Sequence, residues 1–163
     1  METILIFLFT KVFSSTIFFV LIAGIAMHFL VRKNFWTGLS IAGVALLGAW
    51  SVYLLKNFFA VPRPAGALVE LSSFAFPSAH AAGAVLFSTI VYVYLTNVFS
   101  VRSRTLIMVL IGFILLVGFS RVFLQVHTPI QVAAGYTVGA LWSALLLYLS
   151  RHQSNTNASR QRR

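Results

Sequence analysis

The 163-residue sequence contains no cysteine and only two acidic residues, Glu2 and Glu70. Without thiols the chain forms no disulfide and offers no thiolate ligand to a metal. It also has no cluster of carboxylates of the kind that binds magnesium. Charged residues make up only 9% of the chain and hydrophobic residues 60%, whereas about a quarter of an average soluble domain is charged. These shortages exclude an ordinary soluble domain and indicate a membrane protein.

The hydrophobic residues are concentrated in five long runs, which predict membrane-spanning helices. The runs cover roughly 13–31, 35–56, 78–97, 105–122 and 129–150. A helix of about 20 apolar residues is long enough to cross the hydrocarbon core. The sequence therefore predicts an all-α, polytopic helix bundle in a single unit, residues 1–150, followed by a polar tail, residues 151–163. An acidic flank argues against a cleaved signal peptide, and residues 2–10 are expected to form a short interfacial segment.

The net charge of +10 is distributed unequally between the two sides of the predicted bundle. If the runs alternate across the bilayer, one side receives Arg32, Lys33, Arg102, Arg104, Arg151, Arg160, Arg162 and Arg163. The other side receives only Lys11, Lys56, Arg63 and Arg121. The positive-inside rule then predicts a cytoplasmic C-terminus, with a tail that is disordered and contacts anionic membrane lipids. Nucleic acid is not an expected partner, because the basic tail lacks interleaved aromatic residues.

Polar residues on the less charged side lie at the ends of the hydrophobic runs. They are Lys56, Arg63, Ser78, His80, Arg121 and His127. Arginine offers a planar fork to two phosphate oxygens, lysine a compact charge, and a helix N-terminus free amide groups. One imidazole can attack phosphorus while a second protonates the departing oxygen. These residue types therefore predict metal-free phosphoryl chemistry.

Three short motifs in this region carry a family resemblance. They are "KNFFAVPRP" at 56–64, "PSAH" at 77–80 and "SRVFLQVHTPIQ" at 120–131. In this order they resemble the motifs KxxxxxxRP, PSGH and SRxxxxxHxxxD of the type 2 phosphatidic acid phosphatase family, which are membrane relatives of vanadium haloperoxidases. The resemblance implies a helical core and a phosphatase that needs neither metal nor cofactor.

The resemblance also implies a role for each matched residue. His127 would be the nucleophile that forms a phosphohistidine, and His80 would be the general acid for the leaving group. The phosphate oxygens would be held by Lys56, Arg63, Ser78 and Arg121.

The chain departs from the family pattern at two positions. Ala79 replaces a glycine whose amide approaches the phosphate, and alanine keeps that amide. Gln131 replaces the aspartate that holds the nucleophilic histidine. Its carbonyl oxygen can accept the His127 Nδ1 hydrogen but does not stabilise a cationic imidazole as a carboxylate does. Gln131 also completes a capping box with Thr128, so capping and orientation both stay open, and Gln131→Asp is expected to raise the rate.

The sequence thus predicts an integral membrane phosphatase for lipid phosphates, acting at the outer face of the cytoplasmic membrane. Isoprenyl pyrophosphate, phosphatidylglycerol phosphate and phosphatidic acid all fit a site at headgroup depth. A lipid-to-lipid phosphotransferase, a non-catalytic lipid-phosphate binding or transport protein, and a non-catalytic subunit remain alternatives. Gly135 and Gly139 allow close helix approach, and packing within the chain is favoured over a dimer face. We therefore expect a monomer or a weak homodimer.

Overall fold

The computed structural model describes residues 15–32, 34–68 and 71–161. Within these ranges the chain forms five helices and no strand. The helices are α1 (Ser15–Val31), α2 (Phe35–Phe59), α3 (Ala79–Val98), α4 (Arg104–Phe123) and α5 (Pro129–Gln161). The predicted all-α bundle of about five helices is therefore confirmed.

Most of these helices are suited to a bilayer. Among the described residues, α2 to α5 are long and apolar enough to cross a membrane. The 17-residue α1 lies at the lower limit of a spanning length. Large apolar side chains such as Phe58 point outward and are 81% exposed, which is unfavourable in water and favourable in lipid. The predicted interfacial segment at 2–10 lies outside the described residues, as do both glutamates.

The ends of the helices are set by local capping interactions. Ala60 ends α2 in the left-handed conformation, with φ at 45°, and its N–H donates to the Lys56 carbonyl at 2.9 Å. Ser103 opens α4, where its hydroxyl oxygen accepts from the Leu106 N–H at 3.0 Å. Such caps satisfy backbone groups that have no partner within the helix. They end the helices and place the connections at the two ends of the bundle.

Small residues allow the helices to approach closely within the chain. A Cβ atom added at Gly139 of α5 would lie 2.6 Å from the Ala82 carbonyl oxygen of α3. A Cβ at Gly38 of α2 would lie 2.8 Å from the Ala26 carbonyl oxygen of α1. Gly135 likewise faces α3. The glycine pair of α5 therefore packs inside the bundle, as the sequence favoured, and does not form a dimer face.

The described part of the C-terminal tail differs from the prediction of disorder. The backbone of α5 continues as a helix through Gln161. The tail contains neither proline nor glycine after residue 150, the two residue types that interrupt a helix most strongly. Gln153 anchors this extension, because its Nε2 donates to the Ser40 hydroxyl at 2.8 Å and its Oε1 accepts from the Thr37 hydroxyl at 3.0 Å.

Candidate active site

The residues singled out from the sequence come together at one end of the bundle. Lys56 occupies the last turn of α2, and Arg63 lies in the connection between α2 and α3. Ser78, Ala79 and His80 open α3. Arg121 is in the last turn of α4, and His127 and Gln131 flank the start of α5. Four helix ends and two connections thus converge on a single site.

A short segment without regular secondary structure, residues 73–75, holds two of the cations in place. The Lys56 ammonium donates to the Phe74 carbonyl oxygen. The Arg63 guanidinium donates from Nε to the Ser73 carbonyl oxygen at 2.9 Å and from Nη2 to the Ser73 hydroxyl at 3.0 Å. The Ala75 N–H donates to the Val61 carbonyl at 2.8 Å, which ties this segment to the connection that carries Arg63. Charge-assisted hydrogen bonds of this kind fix both direction and position.

Sequence reasoning did not identify Ser73 as a site residue. Two of the three acceptors in segment 73–75 are backbone carbonyls, which every residue type offers. No sequence pattern marks a carbonyl that faces a cation. Only the position of the segment, between the first two motifs, could have drawn attention to it.

The free edge of the Arg63 guanidinium faces His127. Its Nη1 donates to the Val126 carbonyl oxygen at 2.9 Å and lies 3.4 Å from His127 Nε2. The His127 side chain is only 4% exposed. A guanidinium nitrogen is always a donor, so the Nε2 atom in front of it carries the lone pair.

The Gln131 side chain supports the same tautomer from the other side of the ring. Its Oε1 accepts from the Thr128 N–H at 3.1 Å, which identifies this atom as the amide oxygen because a backbone N–H only donates. The same Oε1 lies 3.2 Å from His127 Nδ1, so Nδ1 carries the hydrogen. One oxygen therefore caps α5 and orients His127 at once, and the two roles left open by the sequence do not compete.

Only half of the predicted capping box is formed. The reciprocal bond would run to the Thr128 hydroxyl, but that oxygen is buried and has no hydrogen-bond partner among the described residues. The Gln131 N–H donates to the Thr128 backbone carbonyl at 3.1 Å instead. Gln131 is 6% exposed, so its side chain is held by the protein and not by solvent.

The electrostatic environment favours neutral His127. Its burial, and then the charges of Arg63 and Lys56, lower the pKa of His127 to about 4. Hydrogen bonds with the Gln131 side chain and the Ala75 backbone act in the opposite direction. Burial also lowers the pKa of Arg63, which stays a cation at neutral pH because arginine titrates far above it. The site thus combines a neutral imidazole with permanent positive charge.

Arg121 is tied to His127 through the backbone. The N–H groups of Val126 and His127 both donate to the Arg121 carbonyl oxygen at 3.2 Å. Arg121 is 2% exposed, and its Nε donates to the Ser120 hydroxyl at 3.0 Å. That hydroxyl donates in turn to the Val117 carbonyl at 2.6 Å. The six-residue spacing therefore corresponds to a tight turn at the end of α4, in which backbone hydrogen bonds join Arg121 to His127.

The start of α3 completes the site. The Ser78 N–H donates to the Gln131 carbonyl at 3.0 Å, and the Ser78 hydroxyl oxygen accepts from the Ala81 N–H at 3.4 Å as the N-cap. Ala79 adopts no positive φ, so alanine fits where the family has glycine. His80 interacts electrostatically with the cations and with His127. The free N–H groups of this helix end add to the anion-attracting character of the site.

The arrangement suits a phosphate more than a metal ion. Among the described residues, no group of three or more histidine, cysteine, aspartate or glutamate side chains could hold a metal. The charges of two cationic side chains, Arg63 and Lys56, act on His127 in a largely buried setting. Such a site attracts an anion and can neutralise charge that develops on phosphoryl oxygens.

Comparison with known proteins agrees with this geometry. A model of the PAP2 superfamily matches residues 35–154. Phosphatidylglycerophosphatase B of Bacillus subtilis (strain 168) is 34% identical over 126 residues, which cover 75% of this chain and 61% of that protein. This chain thus spans less than two thirds of the length of that relative.

A solved structure supports the same assignment. The crystal structure of a transmembrane PAP2 type phosphatidylglycerolphosphate phosphatase from Bacillus subtilis superposes with a TM-score of 0.80 at 27% identity. The superposition covers 90% of this chain and 75% of the other. With the apolar helices, it identifies an integral membrane protein. The family resemblance of the three motifs is confirmed, and the chain belongs to the PAP2 superfamily.

Proposed function

We propose that the protein is a membrane phosphatase that hydrolyses lipid phosphates through a phosphohistidine at His127. The observation that carries this proposal is the state of the imidazole. Nδ1 is held by Gln131, and the Nε2 lone pair points into a group of cations. A nucleophile for phosphorus needs a free lone pair and a way to neutralise the charge of the phosphate that it approaches.

In the first step the phosphate displaces Arg63 from its place in front of Nε2. Lys56, Arg63 and Arg121 bind its oxygens, and Nε2 attacks phosphorus. The N–P bond forms as the P–O bond to the leaving group breaks, and the electron pair of that bond departs with the oxygen. The bound phosphate offsets the positive charge around His80, so His80 takes up a proton and, as the general acid, gives it to that oxygen.

In the second step water hydrolyses the phosphohistidine. The water oxygen attacks phosphorus, the N–P electron pair returns to Nε2, and neutral His80 accepts the proton of the water. Inorganic phosphate then leaves, His80 releases the proton that it took up, and the free enzyme is restored. No step requires a redox partner or a bound metal ion.

Phosphatidylglycerol phosphate is the first substrate to test. Both relatives are named for the hydrolysis of this lipid phosphate, and four apolar helices set the site at one end of a bundle where headgroups lie. Isoprenyl pyrophosphate and phosphatidic acid present the same phosphate chemistry. By the positive-inside rule, the site faces outward and the C-terminus lies in the cytoplasm.

The test is phosphate release by purified protein in detergent with a metal chelator present. The three lipids are offered separately to the wild type, to His127→Ala and to His28→Ala. His28 is a matched control, because its ring contacts Tyr94 in the bundle, at 5.3 Å between centroids, and not the site. We expect release by the wild type and by His28→Ala, and loss in His127→Ala.

Other outcomes would replace the proposal. Full release by His127→Ala would exclude this histidine as the nucleophile. Phosphate that appears on an added lipid alcohol instead of in solution would identify a phosphotransferase. Binding of the lipids without any release would identify a binding or transport protein, and neither binding nor release would identify a non-catalytic subunit.

A further inference from the structure

Tyr136 of α5 reaches across to the backbone of α4. Its hydroxyl donates to the Ile114 carbonyl oxygen at 2.8 Å, and the Gly118 backbone forms a hydrogen bond with the same phenol. Ile114 and Gly118 are four residues apart, which is the spacing of acceptor and donor in one helical hydrogen bond. The phenol therefore interacts with both backbone groups of a single turn of α4.

Only glycine fits on α4 at this contact. A Cβ atom at Gly118 would lie 1.8 Å from the Tyr136 oxygen and 2.9 Å from the Val132 side chain. Val132 precedes Tyr136 by four residues, so both side chains lie on the face of α5 that meets α4. Glycine is among the least favourable residues inside a helix, and here its missing side chain leaves the space that the phenol occupies.

The same face of α4 carries Arg121. Ile114, Gly118 and Arg121 follow one another at spacings of four and three residues, which place them in line along one side of a helix. Arg121 lies about 4.5 Å beyond Gly118 along the axis, because a helix rises 1.5 Å per residue. A change in the rotation or height of α4 at Gly118 would therefore move Arg121 as well.

The buried part of α4 is the part that leads to Arg121. Side chains earlier in the helix point outward, and Met108 is 71% exposed. The buried residues of α4 are Val117, Gly118, Ser120 and Arg121. The packing that sets the position of α4 in the bundle is thus concentrated in its last two turns, where Tyr136 makes its contact.

The Arg121 side chain is tied to the turn that Tyr136 holds. Its Nε donates to the Ser120 hydroxyl, which donates to the carbonyl of Val117, the residue next to Gly118. The charge of Arg121 acts on His80, so the guanidinium lies within electrostatic range of the site. The Tyr136 hydrogen bond therefore joins the helix that ends with Arg121 to the helix that begins just after His127.

We propose that Tyr136 is a positioning residue for phosphate binding: its phenol fixes α4 against α5 so that Arg121 meets the phosphate in front of His127. The inference rests on the proposed function, since it takes Arg121 as a ligand of the phosphate. Tyr136 acts through α4 and not by contact with the phosphate, because its hydroxyl is bonded to Ile114, about 10 Å along the helix from Arg121.

The test is a double-mutant cycle on the affinity for inorganic phosphate, measured by isothermal titration calorimetry on the purified protein in detergent. Tyr136→Phe keeps the ring and should raise the Kd roughly fivefold, the effect of one lost hydrogen bond. In an Arg121→Gln background the same substitution should leave the Kd unchanged, because the side chain that it positions is gone. A merely structural role of the phenol would give the same factor in both backgrounds, and that result would overturn the proposal.

Further variants provide a matched control and a second perturbation. Tyr148 is on the same helix, is 67% exposed and stacks on His152, so Tyr148→Phe should leave the Kd unchanged. Gly118→Ala places a methyl group where the phenol oxygen lies and should weaken phosphate binding at least as much as Tyr136→Phe. Gly112→Ala should not, because a Cβ there meets nothing within 4 Å. Wild-type affinity in a folded Gly118→Ala variant would contradict the proposal.

Phosphate binding is measured without turnover, so the two proposals can fail separately. If no lipid phosphate is hydrolysed but the cycle shows the coupling, the proposed function fails and the positioning role of Tyr136 stands. If the lipids are hydrolysed and the cycle shows no coupling, the positioning role alone fails. Wild-type protein that binds no phosphate would contradict Arg121 as a phosphate ligand, and the positioning role with it.

Discussion

Gln131→Glu is the substitution that probes the active site most sharply. It keeps the length of the side chain and replaces the amide nitrogen by a second oxygen. The atom that accepts from Thr128 and from His127 Nδ1 can therefore stay where it is, 3.2 Å from Nδ1. What changes is the charge next to the imidazole. The variant places a carboxylate, as in the family motif, at a position that is in contact with His127.

The size of the effect follows from the environment of His127. Burial, Arg63 and Lys56 lower the pKa of His127 to about 4 in the wild type. A carboxylate within hydrogen-bond distance raises the pKa of a partner cation by roughly 1–3 units, so we expect a pKa of about 5–7 in the variant. Attack requires the neutral ring, and activity falls as the pH drops through this pKa. The acidic limb of the profile should thus move to higher pH.

At pH values above the acidic limb, kcat of the Gln131→Glu variant should increase. The imidazole becomes positively charged as the N–P bond forms, and a carboxylate stabilises this charge where an amide does not. One pKa unit corresponds to about 1.4 kcal/mol and to a tenfold change in rate, so kcat should rise about tenfold or more. Gln131→Asp should raise it less, because the shorter side chain withdraws the oxygen from Nδ1.

The assay is the pH dependence of phosphate release from phosphatidylglycerol phosphate. Gln131→Met, of similar length and without an acceptor, provides the comparison and should lose at least about a hundredfold in kcat because nothing selects the Nδ1–H tautomer. An acidic limb that does not move in Gln131→Glu would refute the contact between Oε1 and Nδ1 during turnover. If the acidic limb moves but kcat does not increase, the amide of Gln131 already supports His127 as well as a carboxylate does.

Three further substitutions test separate features of the structure. Ser73→Ala removes a hydrogen bond from the Arg63 guanidinium and should raise KM roughly fivefold, because such a bond contributes about 1 kcal/mol. Ser72→Ala is the neighbouring control, and Ser73→Thr should restore KM. The Ser88 hydroxyl is buried without a partner among the described residues, so Ser88→Ala should leave the thermal unfolding temperature equal or higher. Gly139→Val forces a side chain against α3 and should destabilise the fold by about 1–3 kcal/mol in denaturant titrations, whereas Gly112→Val should not.

Much of the fold and site follows from the sequence for identifiable reasons. The length of the apolar runs matches the thickness of the bilayer core. The ends of α2 to α5 that adjoin the active site could therefore be predicted closely. The cations and histidines gather because the helices alternate in direction across the membrane. This alternation brings the three motifs, which lie at helix ends, to the same end of the bundle. The relation of Arg121 to His127 is likewise local, since a tight turn joins them.

Other features depend on geometry that a sequence does not encode in residue types. The Lys56 ammonium donates to the backbone carbonyl oxygen of Phe74, a group that every residue type offers. Whether Gln131 caps α5 or orients His127 could not be decided in advance, because one oxygen in the right place does both. The prediction that the tail is disordered was wrong, since the helix continues into it. The prediction gave more weight to the polarity of the tail than to its lack of glycine and proline.

The central claim is that His127 Nε2 carries the phosphoryl group during turnover. Its most direct test is to quench the enzyme with alkali during steady hydrolysis of phosphatidylglycerol phosphate and to locate covalent phosphate by mass spectrometry. We expect an acid-labile phosphoryl group on His127, at a level that rises in any variant that slows the hydrolysis step. Active enzyme with no phosphate on His127, or with phosphate on another residue, would contradict it.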